Sequence, residues 1–202
     1  MRVTAQVQAA TRQRILEVAQ GLFATQGFDA TTTRDIAKAA EIATGTMFNY
    51  FRSKEAVVGS LAAEALADLP LNFNGSDRGG ASLEEDLFAF VAAGLRRLKP
   101  IRKLLPEILA TTLSPVCTSA DPDCGHLRVS HLEAVVQLAS KHGLKELPDM
   151  ALQMYWSIYA GLLLFWANDT SPRQEDTLAL LDHSLEMFLS WLLSKSGQKE
   201  KE

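Results

Sequence analysis

Apolar residues in this chain recur at three- and four-residue spacing along almost its whole length, and that period admits helices and little else. Ile15, Leu16, Ala19, Leu22 and Phe23 set the first stripe, and Gly27 supplies its stop. Thr32 can cap a short second helix, with Asp35 in capping-box position and Ile36, Ala37 and Ala40 on its apolar face. A third, very short helix is predicted from about Thr44 to Phe51, and Ser53 caps a fourth that ends at Pro70. After the Gly- and Asn-rich stretch Leu71–Ala81, Ser82 caps a fifth, with Glu84, Glu85 and Asp86 in its first turn and Arg96, Arg97 and Lys99 at its far end. A sixth runs from Pro100 to about Leu113 with a kink at Pro106. After a loop over Ser114–Gly125, three more span about His126–His142 (stopped by Gly143), Pro148–Ala167 and Pro172–Ser194. No segment alternates as a strand does. The reading is an all-α chain of about nine helices, a three-helix head joined to a larger bundle.

The 202 residues, 47% hydrophobic and 22% charged, suffice for a real core, so wholesale disorder is excluded. No 18-residue run lacks charges or polar breaks; the longest apolar stretch, Tyr155 to Ala167, is interrupted by Ser157 and reads as a buried helix rather than a membrane span. Met1–Ala10 has no apolar signal-like core, and two cysteines make no disulfide framework, so a cytoplasmic protein without membrane association is expected. The net charge of −4 speaks against a nucleic-acid partner, but it is unevenly spread. Residues 1–55 carry +2, from seven basic and five acidic side chains, and the remainder carries −6.

The cationic head also holds the most specific pattern. Helices two and three are joined by a tight turn around Ala40, Glu41 and Ile42, the helix-turn-helix layout whose second helix enters the DNA major groove. Helix three would expose Thr44, Gly45, Thr46, Asn49 and Tyr50, all small or hydrogen-bonding, with Met47 and Phe51 inward and Phe48 at the rim. On pattern alone, a small helical subdomain whose polar residues merely face water is the lesser alternative.

The segment Gly27-Phe28-Asp29-Ala30-Thr31-Thr32-Thr33-Arg34-Asp35-Ile36-Ala37, followed by Gly45-Thr46-Met47-Phe48-Asn49-Tyr50-Phe51-Arg52-Ser53-Lys54-Glu55, resembles the DNA-binding signature of the TetR family of repressors. The resemblance covers the first quarter of the chain without a gap. It implies a DNA-binding domain over residues 1–52 and an effector-binding and dimerisation domain over 53–202, in a homodimeric, ligand-responsive repressor of a palindromic operator. Arg34 is the first candidate for a base contact, because its fork pairs bidentately with guanine. Thr32 and Thr33 sit at a helix start that suits a phosphate, and for Thr32 capping alone is the alternative. Thr44, Gly45, Thr46 and Asn49 form the base-reading surface. Tyr50 and Lys54 match family positions that hold the DNA backbone. Phe48 belongs to the same surface but replaces the family's common tyrosine, losing a hydroxyl for phosphate. Two further departures are Glu41, where the family has glycine at a positive-φ turn position, and Ala43, where it has a serine cap. A helical interaction module that has lost specific DNA binding is the alternative that these departures keep open.

In the body, Tyr155, Tyr159, Leu162 and Trp166 share one stripe, and Leu181, Leu185, Phe188 and Leu192 another, with Trp191 beside it. One subunit alone is hard pressed to bury both last helices, and the family places such a pair in a four-helix dimer interface. Tyr155, Leu162, Trp166, Leu181, Leu185, Phe188, Trp191 and Leu192 are therefore expected at that interface. Phe88, Leu95, Leu104, Ile108, Met154, Ile158 and Tyr159 are candidates for an apolar effector pocket, although each reads as plain core too. Cys117, Cys124, His126 and His131 have weak spacing for a metal or redox site, so no metal and no cofactor are expected. No catalytic motif is present, neither a Ser/His/Asp order nor HExxH, P-loop or dinucleotide loop, and no enzyme is expected.

Overall fold

The computed structural model describes residues 4–69, 73, 80–109, 122–144 and 146–199, with the backbone alone for 122–126 and 195–199. The described residues form nine α-helices and no strand: α1 Ala5–Gln26, α2 Thr33–Ala39, α3 Thr44–Met47, α4 Lys54–Leu66, α5 Leu83–Leu98, α6 Leu105–Leu109, α7 Pro122–Lys141, α8 Asp149–Asn168 and α9 Glu175–Lys199. Two short 3₁₀ segments, Lys99–Leu104 and Pro172–Gln174, precede α6 and α9.

Local chemistry sets most boundaries. Gly27 leaves α1 at φ +84°, a left-handed conformation open to glycine without strain, while its N–H returns to the Phe23 carbonyl. The Thr32 hydroxyl accepts from the Asp35 N–H and the Asp35 carboxylate accepts from the Thr32 N–H, a complete capping box at α2. Ser82 and Glu85 repeat it at α5. Ser53 caps α4 through the Ala56 N–H.

Four boundaries differ from the sequence reading. α3 stops at Met47 instead of reaching Phe51, because the Met47 carbonyl takes both the Tyr50 and Phe51 N–H groups and the chain tightens into turns. The sixth helix is split. Pro106 has no N–H for the Arg102 carbonyl, the Leu105 N–H takes it in the tighter 3₁₀ manner, and α geometry begins only there. α7 opens at Pro122, since proline suits a first helical position, and so takes in the end of the expected loop. α9 begins only at Glu175, after Arg173 and Gln174 at φ +53° and +62°, and continues to Lys199.

Helices α1, α2 and α3 pack together around Ile15, Leu16, Ala19, Ile36, Ala37 and Met47, all buried. α4 connects this head to the body, packing on α1 at one end and on α5, α6 and α7 along its length. α9 lies against α8 and α5. α8 is long and apolar enough to cross a membrane by length and composition alone. Here it is a core helix, with Tyr155, Trp156, Tyr159, Leu162, Leu163 and Trp166 buried along one side.

Candidate nucleic-acid interface and the cavity behind it

The α2–turn–α3 unit presents one face outward. Arg34, in the first turn of α2, is exposed, as are Gly45, Asn49 and Phe48, the last at 49%. Thr33, Thr44, Thr46 and Tyr50 are half-buried beside them. Between the two helices Glu41 sits at φ +56°, the strained position at which the sequence pattern expects glycine. Ala43 leads into α3 without a side-chain cap. The ten residues expected to meet DNA thus fall around one small unit, but two of them are engaged inside the protein. The Thr32 hydroxyl is committed to Asp35, 2.6 Å as donor and 3.2 Å as acceptor, so capping is its role in this structure. Those bonds also hold the Asp35 carboxyl below its ordinary pKa. The Lys54 ammonium donates to the Phe28 carbonyl at 2.8 Å and lies 4.0 Å from the centre of the Phe28 ring, with the Thr31 carbonyl at 3.4 Å. In the chain alone, Lys54 thus braces the α1–α2 turn.

Sequence reasoning missed Arg12. It lies on α1 in the head, pairs with Glu64 on α4 at 2.8 Å, and sets its guanidinium 5.3 Å from the centre of the Phe51 ring. It therefore joins the α1 surface, the end of the α3 turn and the connecting helix. Nothing local in the sequence marks a pair 52 residues apart.

Arg12 and Glu64 also stand at a cavity of about 340 Å³ between α4, α5 and α7, whose walls include Leu66, Leu69, Phe90, Leu127 and His131. The seven residues expected to form an effector pocket do not line it. Leu95, Ile108 and Tyr159 are buried in the core, Phe88, Met154 and Ile158 pack on its edge, and Leu104 borders a separate groove beside α1, near Lys99 and Arg102. Their helices present those positions to neighbouring helices, whereas the cavity opens where α4 and α7 face each other.

The dimer assignment also needs correction by residue. Tyr155, Leu162, Trp166, Leu181, Leu185, Phe188 and Leu192 are all at most 3% exposed within the single chain, and Trp191 is half-buried. Their stripes face each other and α5, with Tyr155 and Phe188 rings 5.8 Å apart. Other apolar residues of the two helices, Leu164, Phe165, Leu178, Leu180, Met187 and Leu193, are exposed by 37–68% in the single chain. His142, at the end of α7, sets its Nε2 2.8 Å from the buried Asp86 carboxylate. Among the described residues no three His, Cys, Asp or Glu side chains come together as a metal site would require. Cys117 lies outside the described residues, and of Cys124 and His126 only the backbone is described.

Residues 15–61 match the sequence model for bacterial regulatory proteins of the tetR family. Over 58 residues the chain is 45% identical to the HTH-type transcriptional repressor KstR2 of Rhodococcus jostii, which is 29% of this chain and 28% of that protein. KstR2 of Mycobacterium tuberculosis is 45% identical over 60 residues, 30% of each chain. The match thus spans less than a third of these curated relatives. Over most of the length, the fold is similar to that of Thermus thermophilus FadR, a TetR family transcriptional repressor solved in complex with lauroyl-CoA, with a TM-score of 0.68 and 27% identity over 88% of this chain and 93% of that one. A TetR regulator from Rhodococcus sp. shares the fold at TM-score 0.70 with 18% identity, covering 90% of this chain and 97% of that one. These relatives are transcriptional regulators, not enzymes. The chain is thus similar to the tetR family of bacterial regulatory proteins in sequence over residues 15–61, and to TetR-type regulators in fold over most of its length.

Proposed function

We propose that this protein is a homodimeric transcriptional repressor that binds a palindromic operator through residues 1–52 and releases it when a small hydrophobic effector enters the body formed by residues 53–202. The observation that carries the reading is the outward face of α2 and α3, where Arg34, Thr44, Gly45, Thr46 and Asn49 surround a short helix of major-groove size. Thr33, Phe48 and Tyr50 flank it, and the +2 charge of residues 1–55 is doubled in a dimer. The exposed apolar residues of α8 and α9, Leu164, Phe165 and Met187 among them, supply the dimer surface. The Thermus FadR structure holds lauroyl-CoA, and the cavity at Leu66, Leu69, Phe90 and Leu127 gives this chain an apolar space of comparable purpose. Such a role places the protein with the chromosome, in the cytoplasm.

The test is an operator selection from random duplex DNA, followed by gel-shift at two salt concentrations. Specific, salt-sensitive retention is expected, and Arg34→Ala should lower affinity for the selected site by about 1–3 kcal/mol and relax one base position. An unchanged Arg34→Ala complex refutes the Arg34 assignment. The second reading, a helical module that no longer reads DNA, is favoured by the strained Glu41 and the uncapped Ala43. Failure of the whole pool to bind would establish it.

A further inference from the structure

A groove of about 570 Å³ lies between α1 of the head and the body, a size usual for small-molecule sites. One wall is α1, with Gln20, Phe23 and Ala24. The other is the 3₁₀ segment Lys99–Leu104 and the end of α8. α1 packs directly on α2 and α4, so the head meets this part of the body across the groove. Phe23, Ala24, Pro100, Leu104 and Ala167 make much of the lining apolar. Its charges are lopsided, Lys99, Arg102 and Lys103 against Asp169. The three cations belong to a run of five among the eight residues Arg96–Lys103, on a body that is otherwise acidic. Two of the four lining charges are already engaged. Arg102 donates from Nε to the Trp166 carbonyl at 2.7 Å and from Nη2 to the Asp169 carbonyl, with its guanidinium 5.3 Å from the Trp166 ring centre, so it closes the end of α8 and fixes that wall. The Asp169 carboxylate accepts from Ser171 and Thr177. Lys99 and Lys103 are left, both exposed, and neither has an ion-pair or hydrogen-bond partner among the described residues. Lys99 suits the C-terminal end of α5, but Lys103 precedes the start of α6, where the helix dipole gives a cation no support.

We propose that this groove is a ligand site separate from the α4–α7 cavity, and that it takes an amphiphilic anion. The acid group meets Lys99 and Lys103, and the hydrocarbon part lies against Phe23 and Ala24 of the head and Leu104 and Ala167 of the body. Both halves of the lining select this class. Two unpaired like charges on one groove set up a positive field that draws an anion. A small hydrated anion would leave the apolar walls in water, and a neutral hydrocarbon would leave the field unused. Because one wall belongs to the head and the other to the body, an occupant ties α1 to the 3₁₀ segment and restrains the head relative to the body.

The experiment titrates the full chain with octanoate, octan-1-ol and inorganic phosphate by isothermal titration calorimetry. Octanoate is expected to bind about tenfold more tightly than octanol, the margin of two exposed ion pairs, and more tightly than phosphate. That margin should vanish near 1 M salt, where the screening length falls to about 3 Å. The double variant Lys99→Gln/Lys103→Gln is expected to bind octanoate no better than octanol, with Tm unchanged because neither lysine holds a partner. Ala24→Glu, at an exposed position on the α1 wall, should weaken octanoate by about tenfold, since it sets a like charge on the head side of the groove. The proposal is overturned by equal affinities for octanoate and octanol, by a margin that survives the double variant, or by phosphate binding as tightly as octanoate. Octanoate binding untouched by Ala24→Glu, or no binding by any probe, also overturns it. None of these readouts involves DNA, so the groove is tested apart from operator reading.

Discussion

Lys54→Met tests whether this cation holds the protein together or holds DNA. Methionine keeps most of the apolar stem and removes the ammonium. The hydrogen bond to the Phe28 carbonyl, 2.8 Å long and charge-assisted, contributes about 1.5 kcal/mol in this half-buried setting. The contact at 4.0 Å from the Phe28 ring centre adds about 0.5 kcal/mol. The bond to the Thr31 carbonyl, at 3.4 Å, is too long to add much. The expected loss is about 2 kcal/mol, and for a chain of this length that lowers Tm by about 4–8 °C. Thermal unfolding by circular dichroism measures it. Gel-shift over a salt series supplies the second readout. If the Lys54 side chains of a dimer neutralised two phosphates, the log–log salt slope would drop by about 2 on substitution. The brace reading expects the slope unchanged where the variant is still folded. An unchanged Tm together with a reduced slope would refute the reasoning.

Three further outcomes follow from particular contacts. Glu41→Gly should raise stability by about 0.5–1 kcal/mol, since φ +56° strains a residue with a side chain; a lower Tm than wild type would show that the turn draws on the Glu41 side chain. Asp169 is pushed up by burial, but the bonds it accepts from Ser171 and Thr177 outweigh this and hold its carboxyl well below the ordinary range. Its folded pKa lies below its unfolded one, so its contribution is complete above pH about 4 and fades as pH falls towards the depressed value. Asp169→Asn should therefore melt below wild type at pH 7, with the gap closing in acid, and a pH-independent gap would contradict this. Phe165→Glu, at an exposed position of α8, should shift the proposed dimer to monomer in light scattering at retained helicity, whereas Leu185→Ala, in the buried stripe of α9, should cost about 2–5 kcal/mol. Equal masses for Phe165→Glu and wild type would place the dimer surface elsewhere.

What could be read in advance was local. The Thr32–Asp35 capping box, the Ser82 cap, the stops at Gly27 and Gly143 and the strain at Glu41 each depend on neighbours within four residues, and each stands where the pattern puts it. The start at Pro122 is not legible, because proline acts differently inside a helix and at its start, and spacing alone does not tell which position it holds. The stripes on α8 and α9 were correctly seen as buried, but an apolar stripe does not say what covers it. Here Tyr155 faces Phe188 within one chain, while Leu164, Phe165 and Met187 of the same two helices stay exposed. Likewise Lys54 reads as a free cation until the Phe28 carbonyl, 26 residues away, is brought beneath it.

The sequence by itself determined the class of this protein, all-helical with a helix-turn-helix head, because period, caps and the signature from Gly27 to Glu55 are encoded within short windows. The tertiary structure decided the rest: that Arg12 joins Glu64 and Phe51, that His131 is buried beside a cavity with Tyr159 and Trp156 left unpaired, and which face of α8 is free. Those outcomes depend on how distant helices are rotated against one another. That rotation is fixed by the packing of the whole core, which no single window contains.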